Sequence, residues 1–327
     1  MLKELIGNIP KETGFIKQFR IHQGWWRTFV LNEMEGRYWD KINKKEASVC
    51  NRINNGEKTK KNFLSEEILT VVRDSCEKHK VEKSGIIEEN RLYNNLLSSQ
   101  PLAFNFFGFL KVHPDIALAF LRTLRPDIIQ VETVVFEYAP KATSDHSAFD
   151  FGFIIRSETG RGFWGFECKY TDTFSFRGKG CKVNYGDKLG IEEDRNYSKY
   201  YETYQENPYR FPDDYFSYVR DRNFNQLFRN ELLAMLLKTE FDFVLTGLFC
   251  HHGDKETVKS GHEFQKKIGN GKNDFVVLTY SDYFERIQRL DLTWEQRELI
   301  MLLWARYCGL ILSQNIFSPI VEKNNDL

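Results

Sequence analysis

The spacing of hydrophobic and polar positions along the chain predicts an alternation of helices and strands. Apolar residues at helical spacing mark amphipathic helices, and short runs of β-branched and aromatic residues mark strands. Ser65, ahead of two glutamates, is expected to cap the first long helix. In chain order, the pattern predicts helices over 65–80, 86–100 and 113–125, a strand over 128–140, and paired strands over 149–156 and 163–171.

A polar, tyrosine-rich stretch over 173–222 has little periodicity and is expected to form an excursion on the surface. The elements predicted after it are a largely buried helix over 223–238, strands over 241–250 and 273–281, and a C-terminal helix over 293–312 capped by Thr293. Three strands in quick succession followed by alternating helices and strands indicate an α/β sandwich. Its mixed sheet is expected to begin as an antiparallel meander.

Composition places the chain among ordinary globular proteins. Its 327 residues are 41% hydrophobic and 28% charged, which is enough for one large domain or two small ones. No apolar run reaches the ~18 residues of a membrane span, and the N-terminus lacks a signal-peptide core, so we expect a cytoplasmic protein without membrane contact. The formal net charge is zero. Any binding of nucleic acid therefore has to rest on a local basic patch.

Six cysteines without a C-x-x-C pair argue against a zinc module or a disulfide framework. Cys250, His251 and His252 stand together in FCHHGD, with His262 ten residues further on. Adjacent residues of a strand point to opposite faces, so this triplet cannot bind one ion from a regular strand. We therefore interpret it as the end of a strand running into a loop rather than as a metal site.

Three charged side chains stand in the most apolar hairpin of the chain, with Asp150 in its first strand and Glu167 and Lys169 in its second. Residues two apart on a strand share a face, so Glu167 and Lys169 project together. A two-residue turn at 159–160 would place Asp150 opposite Lys169. A turn shifted by one residue in either direction would place it opposite Glu167 or Thr171. Every even-length loop keeps the three charges on one face, whereas an odd-length loop separates Asp150 from the others.

Two interpretations of these charges stay open on spacing alone. Two carboxylates a cross-strand diagonal apart suit a hard cation such as Mg²⁺, and a nearby lysine can orient water or stabilise charge on a phosphate. Such a group is typical of phosphodiester hydrolysis. The alternative is an ordinary cross-strand ion pair on a solvated sheet face. Glu167-Cys168-Lys169 is the one place in the sequence where an acidic residue is followed two positions later by lysine.

A further carboxylate falls on a core-facing stripe. On a helical wheel of residues 86–100, Glu89 and Gln100 lie within the arc formed by the apolar residues. A buried carboxylate is costly unless it is paired or bound to a cation. Glu89 is therefore expected either to pair with a core arginine or lysine, or to reach the pocket of Asp150 and Glu167 and complete the shell of a metal.

Five strings within 86–237 are more specific than the charges alone: EENRLYNNLLSSQPLAFNFFG, FEYAP, SAFDFGFIIR, GFWGFECKYTD and NQLFRNELLA. They resemble the PD-(D/E)xK nuclease superfamily, in particular its bacterial putative restriction endonuclease-like proteins. The resemblance implies a restriction-endonuclease-like αβββαβ core over 85–290, with a mixed central sheet flanked by helices and a polar insertion at about 173–222. Residues 1–84 would be a mostly helical N-terminal elaboration, and 291–327 a C-terminal helix packing on the core.

The resemblance also implies a metal site. Asp150 and Glu167 would bind Mg²⁺ or Mn²⁺ through their carboxylates, with a contribution from the backbone carbonyl of Cys168. Lys169 would position or activate the attacking water, and the products would carry 5′-phosphate and 3′-hydroxyl ends. Glu89 matches the acidic residue of the first core helix, which in several branches approaches the metal or the water.

Gln226 matches a catalytic-site glutamine that RecB-like relatives carry on a helix. Those relatives have a tyrosine four residues later, whereas this chain has Asn230. A buried glutamine that bonds to neighbouring backbone therefore stays an alternative. The proline that precedes the aspartate in the superfamily motif is also replaced, here by Phe149.

The loop over 175–188 is the candidate nucleic-acid contact, because glycines and basic residues suit a phosphate backbone. Its basic residues are Arg177, Lys179, Lys182 and Lys188. Tyrosines over 197–209 would stack on unpaired bases, or else pack on the surface of a solvated loop. The whole pattern predicts a Mg²⁺-dependent endonuclease of restriction or defence type acting on DNA. The alternative is an inactive relative that binds nucleic acid or serves as a scaffold in a larger complex. The C-terminal helix, most simply a core helix, is also a candidate homodimer surface.

Overall fold

A computed structural model of the chain describes residues 2–316, apart from 13, 41–42, 83–84, 142, 144–146, 172–194, 220 and 222. The strands are β1 (Glu35–Asp40), β2 (Lys45–Ile53), β3 (Ile128–Tyr138), β4 (Phe149–Ser157), β5 (Gly160–Lys169), β6 (Phe243–Cys250) and β7 (Phe275–Thr279). The helices are α1 (Leu2–Leu5), α2 (Gly14–Trp25), α3 (Gly56–Thr59), α4 (Glu66–Glu82), α5 (Glu89–Asn94), α6 (Ser99–Val112), α7 (Pro114–Arg122), α8 (Arg195–Glu206), α9 (Tyr215–Val219), α10 (Asn225–Leu236), α11 (Lys255–Lys267), α12 (Gly271–Asp274), α13 (Tyr280–Ile287) and α14 (Trp294–Tyr307).

Strands β3 to β7 form one mixed sheet in sequence order. The first three are antiparallel neighbours, whereas β5, β6 and β7 are parallel. This confirms the predicted mixed sheet that begins as a meander. Strands β1 and β2 pair separately as a two-stranded sheet, which the sequence pattern did not predict, within the segment expected to be mostly helical. The domain boundaries after residues 84 and 290 stay predictions.

Alternation along the strands gives the sheet two apolar faces, and helices cover both. One face, which includes Phe151 and Phe166, packs against α6, α7, α13 and α14. The other, which includes Phe163 and Leu248, packs against α8, α9, α10 and α11. The sheet is therefore the middle layer of an α/β sandwich. The hairpin charges lie on the second face, beneath α10.

The β4–β5 hairpin turns at residues 158–159, because Ser157 pairs with Gly160. Gly160 has a φ of +127°, a conformation that glycine adopts without steric cost. The loop has two residues, so the three hairpin charges share a face, as every even-length loop requires. The turn lies one residue earlier than the 159–160 position considered from the sequence. The register therefore continues to place Asp150 opposite Glu167 rather than opposite the lysine.

The single helix predicted over 86–100 is wrong. The structure has two helices there, α5 and α6, separated by a short extended break at Asn95. Ser98 ends that break by capping α6, since its side chain accepts a hydrogen bond from the backbone N–H of Gln100. Ile86 lies outside both helices and is 58% exposed. The apolar spacing continues across the break, so spacing alone predicts one helix, whereas α5 ends before the break and α6 begins at the Ser98 cap.

Other helices begin where their caps were predicted. The Ser65 hydroxyl accepts a hydrogen bond from the N–H of Ile68 at 3.2 Å, and Thr293 forms a capping box with Gln296. The buried helix predicted over 223–238 is α10. Within the described ranges no single helix is long and apolar enough to cross a membrane. The helices α6 and α7 meet that criterion only as a pair bent by 107°.

The described part of the tyrosine-rich stretch packs as helices rather than as an exposed excursion. It forms α8 and α9, and Tyr200 and Tyr215 are buried among side chains of α10. Tyr209, in contrast, is 94% exposed. The core therefore takes up Tyr200, which had been considered for base stacking, and leaves Tyr209 at the surface.

Candidate active site

The two strands of the hairpin separate where their charged residues lie. The paired ladder of β4 and β5 ends at Phe151 and Phe166, one residue short of Asp150. Oδ2 of Asp150 accepts a hydrogen bond from the backbone N–H of Cys168 at 2.6 Å, so a carboxylate takes the place of a backbone acceptor. The N–H and C=O of a strand residue point to the same side, and we therefore expect the Cys168 carbonyl to face the same gap.

Glu167 and Lys169 form a buried ion pair beside this gap. Nζ of Lys169 lies 2.7 Å from Oε1 of Glu167, and both side chains are 8% exposed. The same Nζ donates a hydrogen bond to Oε1 of Gln226 at 2.6 Å. Nδ2 of Asn230 donates to the other oxygen of Glu167, Oε2, at 2.8 Å. The structure thus brings the predicted Gln226 to the lysine and adds Asn230, which the sequence reading noted only as a departure from tyrosine.

Helix α10 supplies both amides because residues four apart lie on one face of a helix. Their polarity matches the ion pair, since an amide oxygen meets the ammonium group and an amide NH₂ meets the carboxylate. Burial alone would raise the pKa of Glu167. The charges of Lys169 and Arg229 and the bonds from Lys169 and Asn230 outweigh it and lower that pKa below its ordinary value. Glu167 is therefore ionised at neutral pH.

A third carboxylate, Glu137 at the end of β3, belongs to the same group, and the sequence reading missed it. The register of β3 with β4 places Glu137 opposite Asp150. Its φ of +47° is uncommon for a residue other than glycine. Its Oε1 accepts a hydrogen bond from Nε2 of Gln100 at 2.5 Å. The available signal was positional: Glu137 stands at the end of the strand that precedes and pairs with the strand of Asp150.

Asp150 and Glu137 lie in surroundings that resist their ionisation. Burial, and then the charge of Glu167, raise the pKa of Asp150 to about 7. Burial, and then the charge of Asp150, raise the pKa of Glu137 to about 8. The positive charge of Arg91 on α5 acts in the opposite direction on both groups. Ionising both carboxyl groups at the open end of the hairpin is therefore unfavourable, first because they are buried and second because each lies near another carboxylate.

A comparison with protein families agrees with this geometry. The sequence model of the PD-(D/E)XK nuclease superfamily matches residues 10–309. The chain belongs to the PD-(D/E)XK nuclease superfamily. The match is nearly the length of the chain and extends well beyond residues 86–237, on which the resemblance rested. No curated protein and no solved structure gives a significant match. Superfamily members are in general metal-dependent nucleases.

The hairpin residues fit the divalent cations that PD-(D/E)XK nucleases typically use. Mg²⁺ and Mn²⁺ prefer carboxylate, carbonyl and water oxygens as ligands. Asp150 and Glu167 offer carboxylates, and Cys168 offers a carbonyl expected to face the same gap. Burial first, and a neighbouring carboxylate second, raise the pKa values of Asp150 and Glu137; a bound divalent cation would favour the ionised form of both groups. The oxygen ligands and the acidic character of the site therefore both fit a divalent cation.

In the absence of divalent cation, we expect the stability of the protein to fall as the pH rises from about 4 to about 8. The unfolded carboxyl groups titrate near pH 4, whereas the folded pKa values are about 7 for Asp150 and about 8 for Glu137. The folded state therefore holds more protons within that window, and raising the pH removes stability. Melting temperatures in EDTA, taken as the difference from an Asp150→Asn/Glu137→Gln double variant, measure this effect. A difference that does not change with pH would contradict it.

The expectation that Glu89 faces the core of a long helix is wrong. Glu89 is the first residue of the short helix α5 and is exposed. Its Oε1 lies 2.7 Å from Nζ of Lys80 on α4, and the two side chains are 47% and 66% exposed. The helical wheel failed because residues 86–88 are not helical. Gln100, which shared the predicted arc, is buried and contacts Glu137 instead.

We expect Glu89→Gln to leave divalent-cation binding within error of wild type, because the change removes only an exposed ion pair. The matched variant Glu137→Gln removes a carboxylate opposite Asp150 and should weaken Mg²⁺ binding about tenfold. Calorimetric titration of both variants with Mg²⁺ makes the comparison. Equal losses in the two variants would contradict this assignment of the carboxylates.

The four predicted nucleic-acid contacts lie outside the described residues. They are Arg177, Lys179, Lys182 and Lys188. Their role in binding the phosphate backbone stays a prediction. Along the chain, the segment over 175–188 begins six residues after Lys169.

A second group of ligand-type atoms in the described part of the chain is better explained by packing. β6 ends at Cys250 as predicted, and His251, His252 and Cys308 bring such atoms within 4.8 Å of one another. Nδ1 of His251 accepts the N–H of Gly253 at 2.8 Å, so the lone pair of that nitrogen is already in use. The two imidazole rings stack with centroids 4.1 Å apart, a packing contact that accounts for their closeness.

Proposed function

We propose that this PD-(D/E)XK protein is an endonuclease that hydrolyses phosphodiester bonds of DNA with Mg²⁺ or Mn²⁺, in a restriction or defence role in the cytoplasm. The observation that carries the proposal is the placement of Asp150, Glu167 and Lys169 on one sheet face at the open end of the hairpin. Oxygen ligands for a hard cation beside a positively charged donor are the groups that phosphodiester hydrolysis uses.

The residues at the open end of the hairpin have separate roles in this proposal. Asp150, Glu167 and the Cys168 carbonyl would hold the cation, which supplies positive charge at the phosphate and lowers the pKa of water. Lys169 would donate from Nζ to the attacking water or to a phosphate oxygen. Gln226 accepts a hydrogen bond from that ammonium group and so restricts the directions in which Nζ can donate to other partners. The chain thereby holds its donor at a fixed place before substrate arrives.

DNA is favoured as the substrate because the sequence strings resemble restriction endonuclease-like proteins. The basic loop over 175–188 would contact the phosphate backbone of that DNA. The aromatic ring of Tyr209, which is 94% exposed, is available to contact unpaired bases. A second copy of the chain is a further proposed partner, since α14 exposes Trp294 and Met301 at 70% and 67%.

Cleavage assays on four substrates test the proposal. Purified protein is incubated in Mg²⁺ or Mn²⁺, beside EDTA controls, with supercoiled plasmid, linear duplex DNA, single-stranded DNA and RNA of the same sequence. We expect cation-dependent cutting of the plasmid, with products that a ligase can rejoin because they carry 5′-phosphates. Cutting of RNA alone would contradict the DNA assignment, and cutting of linear DNA alone would contradict the endonuclease assignment. Binding without cleavage of any substrate would favour the inactive relative.

A further inference from the structure

Asn230 is a buried residue of α10, and its hydrogen-bond partner determines which way its amide group faces. It is 3% exposed, and it donates from Nδ2 to Oε2 of Glu167 at 2.8 Å. A carboxylate accepts hydrogen bonds only, so the NH₂ group must face Glu167 and the amide oxygen must face away. The orientation of this asparagine is therefore fixed by its partner.

This contact gives the second carboxylate oxygen of Glu167 a donor. Oε1 of Glu167 faces Nζ of Lys169 and Oε2 faces Asn230, so each oxygen has a donor from a different element. The carboxylate cannot turn about its last torsion without losing both. A ligand that must present lone pairs to a cation gains from such a restraint, because less rotational freedom is lost when the cation binds.

The same helix holds a natural comparison. Asn225 is 4% exposed, and its Nδ2 donates at 2.8 Å to the backbone oxygen of Val219. Among the described residues, no donor reaches the Oδ1 of either asparagine. The two asparagines therefore share residue type, helix, burial and number of bonds. They differ in what they hold, since one holds a carboxylate of the hairpin and the other holds backbone.

We propose that Asn230 is a positioning residue of the cation site, which fixes Glu167 in the orientation that binds the divalent cation. The inference rests on the proposed function and adds to it a residue that the sequence motif does not contain. Asn230 acts through Glu167 and is not itself a ligand. Its removal should therefore weaken cation binding and raise the cation concentration required for cleavage, without abolishing either.

The test compares Asn230→Ala with Asn225→Ala in the full chain. Mg²⁺ and Mn²⁺ binding is measured by calorimetry without nucleic acid, and plasmid cleavage is measured over a range of Mg²⁺ concentrations. Asn230→Ser, a smaller change that keeps a hydroxyl donor, is the second variant if the alanine protein does not fold. For Asn230→Ala we expect about a tenfold higher dissociation constant. Saturating Mg²⁺ should restore most of the cleavage rate. We expect Asn225→Ala to keep the wild-type dissociation constant although it melts at a lower temperature.

The outcomes separate this inference from the proposed function. If wild type binds Mg²⁺ but cuts no substrate, a weaker dissociation constant for Asn230→Ala still supports the positioning role while the nuclease proposal fails. If wild type binds and cuts, and the Asn230 variants show the wild-type cation dependence, the positioning role is overturned and the nuclease proposal stands. Equal losses of affinity in the Asn230 and Asn225 variants would also overturn it, because they would indicate a general effect of weakening α10.

Discussion

Replacing Lys169 with methionine should lower the rate of DNA cleavage about 1,000-fold while the protein still binds its divalent cation. The ammonium group is the one positive charge that the hairpin itself places beside Glu167, 2.7 Å from Oε1. Removing a single preorganised donor to a developing charge costs about 100- to 1,000-fold in rate, and loss of its help to the attacking water adds to this. Cleavage rates at saturating Mg²⁺, compared with wild type, measure the effect.

Cation binding distinguishes this chemical role from a general loss of structure. Loss of the ammonium group leaves Glu167 without its ion-pair partner, so Mg²⁺ should bind at least as tightly as in wild type. Breaking a buried ion pair by removing one partner costs about 3–5 kcal/mol, which bound cation should partly offset. Lys259→Met is the matched control, because Lys259 is 73% exposed on α11. Cleavage by Lys169→Met at the wild-type rate would contradict the proposed role of the lysine.

Asp150→Asn should lower Mg²⁺ affinity by more than about 100-fold and abolish measurable cleavage, yet raise the melting temperature in EDTA at pH 8. The affinity falls because the variant loses the negative charge of a proposed metal ligand. This effect should exceed the 10- to 100-fold loss that is typical when a residue hydrogen-bonded to a metal ligand is removed. The stability rises because wild type must ionise Asp150 although burial and Glu167 raise its pKa to about 7. Asparagine keeps an oxygen that can accept the N–H of Cys168.

The pH dependence of that stabilisation checks its cause. The pKa of Asp150 is raised from 3.8 to about 7, and one pKa unit corresponds to about 1.4 kcal/mol. At pH 8 the variant should therefore gain on the order of 4 kcal/mol, which is several degrees in melting temperature. Below about pH 4 the carboxyl group of Asp150 is protonated in both the folded and the unfolded protein. Its ionisation then costs no stability, and the advantage of asparagine should vanish. A destabilised Asp150→Asn protein at pH 8 in EDTA would contradict the electrostatic account of the site.

Local patterns in the sequence predicted most of the fold. The meander of β3, β4 and β5 follows from β-branched and aromatic runs between turn residues, and the caps at Ser65 and Thr293 follow from side-chain chemistry. These signals lie within a few residues of the element they specify. The two-stranded sheet of β1 and β2 escaped notice because its strands carry many polar residues and do not alternate cleanly.

Spacing along the chain predicted the part of the candidate site whose residues are close in sequence, and the family resemblance added the distant Gln226, which contacts Lys169. Glu167 and Lys169 share a face by strand geometry, and the even-length turn brings Asp150 to them. Glu137 requires the register of a different strand pair. Asn230 requires knowledge of which face of α10 meets β5. Contacts of this kind depend on packing, which periodicity does not encode.

The error at Glu89 has the same origin. A helical wheel assumes one continuous helix, whereas the Ser98 cap separates α5 from α6 and leaves Glu89 at an exposed first turn. The wheel left two roles for Glu89, a pair with a core arginine or lysine and a place in the pocket of Asp150 and Glu167; the structure pairs it with the exposed Lys80 instead. The acidic residue that lies beside Asp150 is Glu137 of β3.

Locating the cation tests the proposed site most directly. Crystals of the protein grown or soaked with Mn²⁺ are measured at a wavelength where manganese scatters anomalously. We expect an anomalous peak between Asp150 and Glu167, at about 2.0–2.3 Å from their carboxylate oxygens. An occupied manganese site elsewhere, for example at His251, His252 and Cys308, with no peak at the hairpin, would contradict it.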